Sequence, residues 1–209
     1  MLHSGSKVSD LEVAMDSVVC QRLLRLGNPV KKAARQSGTK DYLEKIIQII
    51  RGAGFGIAIF SEFTPAATLA NIFFEIGLCG VLGKPVILVK SVEAKPPSDF
   101  VRTEWITFNP QDIKRFRRDL DESVKAIRDL ANYYEELGDL ALESEAVDLE
   151  LAFERYRQAI LIGNKQIVRG KIGRILQALD DKTKPALFLQ ASRSRLRKSI
   201  QEFDKLLPR

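Results

Sequence analysis

Two short apolar runs bracket a helix-like segment that holds a single charged residue. The runs cover residues 55–60 and 86–89, and the segment between them, about 69–82, carries no charge except Glu75. Short continuous apolar runs behind glycine or proline suit strands buried on both faces. Gly52 and Gly54 precede the first run, and Gly83-Lys84-Pro85 precede the second. Strand, loop, helix, strand is a βαβ unit, whose parallel crossover is right-handed. A third strand is predicted at Trp105-Ile106-Thr107-Phe108. The chain is therefore expected to be α/β in this part.

The flanks of that unit read as helix. Val8, Leu11, Met15, Val18, Val19, Leu23 and Leu26 recur every three or four residues, and Gly27-Asn28-Pro29 then ends the pattern. Residues 1–7 are expected to be a loose leader, and 31–38 a loop or short helix. Thr39-Lys40-Asp41 opens a second helix with Leu43, Ile46, Ile47 and Ile50 on its apolar face. No strand is evident in 1–40. The loop 61–68 contains Pro65, and a later loop contains Pro96 and Pro97.

After Asn109-Pro110 charges become dense and strand-like runs disappear. Two domains are expected, 1–110 and 111–209, the second all-helical. Its helices are predicted at 111–137, 143–163, 165–180 and 184–206, with breaks at Gly138, Gly163-Asn164 and Pro185. Ala152, Tyr156 and Ala159 have a spacing that resembles the second helix of a tetratricopeptide repeat, although one hairpin is not an array.

The 209 residues carry 33 Lys and Arg against 27 Asp and Glu, a net charge of +6. That modest basic excess permits contact with anions without demanding nucleic acid. The densest basic cluster, Arg193, Arg195, Arg197 and Lys198, lacks interleaved aromatics, so a solvated helix face is expected and nucleic-acid binding is not. The two cysteines, Cys20 and Cys79, have no metal spacing and read as free thiols in a reducing, cytoplasmic setting. The only histidine is His3, so neither a histidine triad nor a zinc site is expected. No apolar run approaches the about 18 residues of a membrane span, and the first residues lack a signal-peptide pattern.

Ligands of parallel sheets bind beyond the carboxyl ends of the strands. Ser61, Glu62 and Thr64 follow the first strand there, and Asn71 and Glu75 stand at i and i+4, on one helix face. Together they would offer an amide, carboxylates and hydroxyls, groups suited to a sugar. A carboxylate so placed can stabilise or trap an oxocarbenium-like centre. The structural alternatives are an ion pair between Glu75 and Lys84, and Asn71 as a helix cap.

The pattern Asn-x3-Glu-x-Gly followed by Gly-Lys-Pro, here Asn71, Glu75, Gly77, Gly83, Lys84 and Pro85, resembles nucleoside 2-deoxyribosyltransferase-like and TIR-like nucleotide-binding domains. The likeness covers about 40–110, and Pro97-Ser98-Asp99-Phe100-Val101-Arg102 before the third strand also fits it. The resemblance implies a Rossmann-like (flavodoxin-like) parallel sheet. It implies cleavage or transfer at the N-glycosidic bond of NAD or a related nucleotide, with Glu75 as catalytic carboxylate. Asn71, Ser61 and Glu62 would bind substrate, no metal or other cofactor would be needed, and the setting would be defence or cell-death signalling. The helical region would join copies into a homo-oligomer or dock a partner protein. Two features depart from the pattern: the first strand is missing, and Ile59-Phe60-Ser61 stand where an acid usually ends the strand. A nucleotide-sensing module without turnover and a helical scaffold are the alternatives.

Overall fold

A computed structural model describes residues 9–32, 42–97, 104–143, 147–163, 165–180 and 190–206. The expectations for residues 1–7, 33–41, 98–102 and the break at Pro185 lie outside them. Along the chain run α1 (Asp10–Arg25), α2 (Tyr42–Gly52), β1 (Gly56–Phe60), α3 (Ala66–Val81), β2 (Val86–Ser91), β3 (Ile106–Phe108), α4 (Ile113–Glu143), α5 (Leu149–Ile162), α6 (Lys165–Asp180) and α7 (Gln190–Leu206). Two compact units divide between Ala126 and Ile127, inside α4. The change of texture at Pro110 marks the approach to α4, whose first turns still belong with the sheet.

In the first unit the strands are parallel, in the order β1-β2-β3. Ile57 lies opposite Ile87, and Val89 opposite Ile106. Because side chains alternate between faces, Ala58, Phe60 and Leu88 pack with Ile72 of α3. Phe60 also meets the Trp105 ring edge-on at 5.1 Å. Val89, Ile106 and Phe108 occupy the other face, where Phe108 meets Phe116 of α4 at 5.0 Å. Helix α1 packs on β1 from its buried stripe of Met15, Val19 and Leu23, and Arg22 joins Asp121 of α4 in an ion pair. Apolar contact on both faces explains why β1 and β2 read as unbroken hydrophobic runs.

Helix boundaries follow local chemistry. Ser9 and Glu12 form a reciprocal capping box at the start of α1. Gly27, at φ +75°, ends it as expected. Helix α3 begins at Ala66, earlier than the predicted 69, because Pro65 supplies an extended cap residue at φ −60° and ψ 146°. Asn71 is thus inside the helix and caps nothing. Gly83 takes φ +67°, and the Lys84 N–H donates to the Cys79 carbonyl at 2.8 Å. That is a Schellman-type ending, and it turns the chain so that Pro85 leads into β2. Leu43, expected on the buried face of α2, is 48% exposed.

The second unit is helical. Its core joins Ala152, Phe153, Tyr156 and Ile160 of α5 to Ile172 and Ile175 of α6 and Ile200 and Phe203 of α7. The predicted break at Gly138 does not occur. Helix α4 continues to Glu143, and a Cβ at Gly138 would lie 2.4 Å from the Tyr156 ring. The glycine is there for close helix approach, which outweighs its weak helix propensity. Asp148 then caps α5, its side chain accepting from the Leu151 N–H at 2.9 Å. The Tyr156 hydroxyl donates to Asp139 Oδ1 at 2.8 Å, and Lys171 Nζ donates to Glu135 and Asp139, each at 2.6 Å. The basic stretch of α7 is solvated: Arg197 pairs with Asp180 and Lys198 with Glu202, while Leu196 and Ile200 turn inward. No helix among the described residues is long and apolar enough to cross a membrane.

Candidate functional site

Three helical steps along α3 place Thr68, Ile72, Glu75 and Cys79 on the face that turns toward the rest of the unit. Thr68, Ile72 and Cys79 are buried, and Glu75 is half-buried. A cavity of about 140 Å³ opens beside β1 at this level. Its apolar walls come from Ile46 and Ile50 of α2, Ile57 and Ile59 of β1, and Ile72 of α3. Glu75, Cys79, Lys84 and the exposed Lys31 supply its polar lining. Its lining runs from Ala53 and Phe55 before β1 to Ile59 and takes in Lys84 and Val86 at the start of β2, so the cavity reaches the amino ends of these strands and not the carboxyl ends where ligands were expected.

Glu75 is the chemical centre of this cavity. Its Oε1 is shielded from solvent and has no hydrogen-bond partner. Burial pushes its carboxyl above the ordinary value of 4.5. No ion pair joins it to Lys84 among the described residues, although Lys84 is only 4% exposed and lines the same space. Burial likewise raises the Cys79 thiol, the charge of Glu75 adds to the rise, and Lys84 opposes it. An acid on an apolar helix is usually either paired or functional.

The other expected site residues lie elsewhere. Ser61 and Glu62 leave the carboxyl end of β1, and neither lines the cavity. Ser61 is buried, and its hydroxyl donates to Glu12 Oε1 at 2.9 Å. The Thr64 hydroxyl donates to the same oxygen and accepts from the Ser61 N–H at 2.8 Å. Glu62 accepts from the Ser91 hydroxyl at the end of β2. Asn71 is exposed one turn before Glu75 and does not reach the cavity. Of the four, only Glu75 lines the cavity; Ser61 and Glu62 belong to a hydrogen-bonded loop cluster at the strand ends, and Asn71 is exposed on α3.

Glu12 is the residue that sequence reasoning missed. It is 7% exposed, a buried carboxylate that ties α1 to the loop after β1. The spacing Ser9-x-x-Glu12 announces a capping box, but not the second set of bonds across 49 positions of chain. Among the described residues, no group of three histidine, cysteine or acidic side chains is placed to hold a metal ion.

The geometry defines a class: a small α/β unit with a three-stranded parallel sheet and a carboxylate-lined cavity, carried on a chain with a separate helical unit. Comparison with protein families, curated proteins and solved structures finds no match to this chain.

Proposed function

We propose that the first unit is a Rossmann-like, nucleoside 2-deoxyribosyltransferase-like or TIR-like domain that cleaves the N-glycosidic bond of NAD or a related nucleotide, with Glu75 as the carboxylate. The observation that carries this reading is the solvent-shielded, unpartnered Oε1 of Glu75 in the wall of a cavity. A shielded carboxylate oxygen without a hydrogen bond gains most when positive charge develops beside it. An oxocarbenium-like sugar supplies that charge only in the transition state, and such differential interaction is what accelerates a reaction. The parallel order β1-β2-β3 with α3 crossing from β1 to β2 supports the Rossmann-like assignment.

The chemistry balances without a metal or redox partner. The bond from sugar C1 to the base nitrogen breaks, and its electron pair leaves with the base. Glu75 stabilises the cationic carbon or bonds to it transiently. Water then supplies hydroxide to C1 and releases a proton. With NAD the products are nicotinamide and ADP-ribose. Lys31, exposed at the cavity, offers a cation for phosphate oxygens. Defence or cell-death signalling in the cytoplasm, with oligomerisation or partner docking through the helical unit, completes the proposal.

A second reading is nucleotide binding without turnover. It is favoured by the commitment of Ser61 and Glu62 to Glu12 and Ser91, which removes two expected substrate ligands from the cavity. Thermal melting with NAD, paired with chromatography of the same samples, separates the two. Stabilisation together with ADP-ribose formation supports the enzyme. Stabilisation with NAD intact after long incubation replaces it with the binding module.

A further inference from the structure

We propose that the outer face of α4 in the helical unit is a docking surface for a basic amphipathic helix of a partner protein. The inference rests on the partner docking proposed for that unit and is independent of the chemistry at Glu75. Leu130, Tyr133, Leu137 and Leu140 follow one another in steps of three, four and three residues, the heptad spacing that keeps side chains on one line of a helix. Leu140 is 62% exposed, Tyr133 53% and Leu130 38%, with Leu137 half-buried among them. The core of the unit does not use this line. Gly138 and Ala141, farther round α4, carry the contact with Tyr156 and the helices behind it. Helix α4 thus has a second apolar face, which runs roughly 15 Å from Leu130 to Leu140 at about 1.5 Å per residue. Single exposed apolar residues are ordinary, but a contiguous line of them rimmed by polar groups marks an interaction site.

The rim specifies the partner. Asp129, Glu136 and Glu143 recur every seventh residue and are all exposed, each three or four positions from Tyr133 or Leu140, so they form a row beside the stripe. Among the described residues none of these three makes an ion pair. Other acids of the same unit do: Glu135 and Asp139 meet Lys171, Asp180 meets Arg197, and Asp204 meets Arg169. Three acids left without cations, in a chain of net charge +6, favour an approaching cation along this flank. An amphipathic helix that lays aliphatic side chains on the stripe and sets Lys or Arg beside them meets both demands. A second copy of this chain seated on the stripe would bring the same acids rather than the cations they lack. Complementary charge sets partner choice more than raw affinity, so an acidic helix of the same shape is refused.

The test is calorimetric titration of the full chain with two synthetic helical peptides of about 21 residues, three heptads, with Leu along one face and either Lys or Glu flanking it. The Leu/Lys peptide is expected to bind at least about tenfold more tightly than the Leu/Glu peptide. Tyr133→Ser combined with Leu140→Ser, both at exposed positions, is expected to lower Leu/Lys binding at least about tenfold while the circular dichroism stays that of wild type. Asp129→Asn, Glu136→Gln and Glu143→Gln together keep the stripe and are expected to close most of the gap between the two peptides. Equal affinity of the two peptides for wild type overturns the inference, as does no binding of the Leu/Lys peptide or full binding by the Tyr133→Ser, Leu140→Ser variant. A wild-type dimer in sedimentation that this variant breaks overturns it too, because the occupant is then a second copy. Nicotinamide release from NAD by the same preparations reads Glu75 alone, so failure of the glycosidic reading is told apart from failure of this surface.

Discussion

Replacing Glu75 by Gln should make the protein more stable while removing its chemistry. Gln keeps the shape of the side chain and discards its charge. In the native structure Glu75 Oε1 is out of solvent and unpaired, and burial raises the carboxyl pKa above 4.5. The ionised form is therefore disfavoured by folding. A group whose folded pKa is raised lends its full stability below its unfolded pKa and loses it as pH rises through the folded value. Wild type should thus weaken relative to Glu75→Gln from about pH 4.5 upward, with the gap fully open once the native carboxyl is ionised. Gln leaves an oxygen in the same place, so only the charge distinguishes the two side chains, and an unsatisfied charged group costs more than a neutral one. Glu75 is only half-buried, and hydration of its outer part keeps that difference to about 1 kcal/mol at neutral pH. In a chain of this size that is roughly 2–4 °C in melting temperature. Calorimetry of both proteins from pH 4 to 8 measures it. Equal melting temperatures throughout, or a variant less stable at neutral pH, would refute the claim that burial of Glu75 disfavours its ionised form.

Three further outcomes are expected. Gly138→Ala should destabilise the helical unit by about 1–3 kcal/mol, since overpacking against Tyr156 exceeds the roughly 1 kcal/mol gain in helix propensity. Tyr156 is 0% exposed with its hydroxyl held by Asp139, so the ring cannot step aside, and an unchanged melting point would contradict this packing. Glu12→Ala should cost about 1–3 kcal/mol by leaving the Ser61 and Thr64 hydroxyls without their acceptor, while Glu12→Gln recovers part of the loss; equal stability of both variants and wild type in urea would argue against the loop network. Burial raises the Asp139 carboxyl, but hydrogen bonds from Lys171 and Tyr156 outweigh it and hold the group below its ordinary 3.8. Its stabilising contribution is therefore present above pH 3.8 and lost as pH falls through the lower folded value, so circular dichroism should show a shallower acid transition for Asp139→Asn than for wild type.

The parallel βαβ unit was legible because its signals are local: glycines before apolar runs, and Gly83-Lys84-Pro85 at a helix end. The observed Schellman ending and the β1–β2 pairing use those same residues. Gly138 misled because a glycine in a helix reads as a stop, and only the position of Tyr156, from the next helix, shows it to be a packing residue. Pro65 starts α3 early for a reason visible locally, its fixed φ, but Ala66 and Ala67 carry no periodic signal to reveal it. The site divides along the same line. Glu75 stood out as a lone acid on an apolar helix, and the cavity keeps it so. Ser61 and Glu62 were expected there because they follow the carboxyl end of the first strand, yet each has a partner in Glu12 or Ser91, and such pairings across the fold have no spacing rule.

Incubation of wild type and Glu75→Gln with NAD, followed by chromatography for nicotinamide, tests the central claim most directly. The account predicts release by wild type and a loss of at least about a hundredfold in Glu75→Gln, with the variant folded and no less stable. Equal release by the two proteins would contradict it, because the bond would then be cleaved without the carboxylate on which the reading depends.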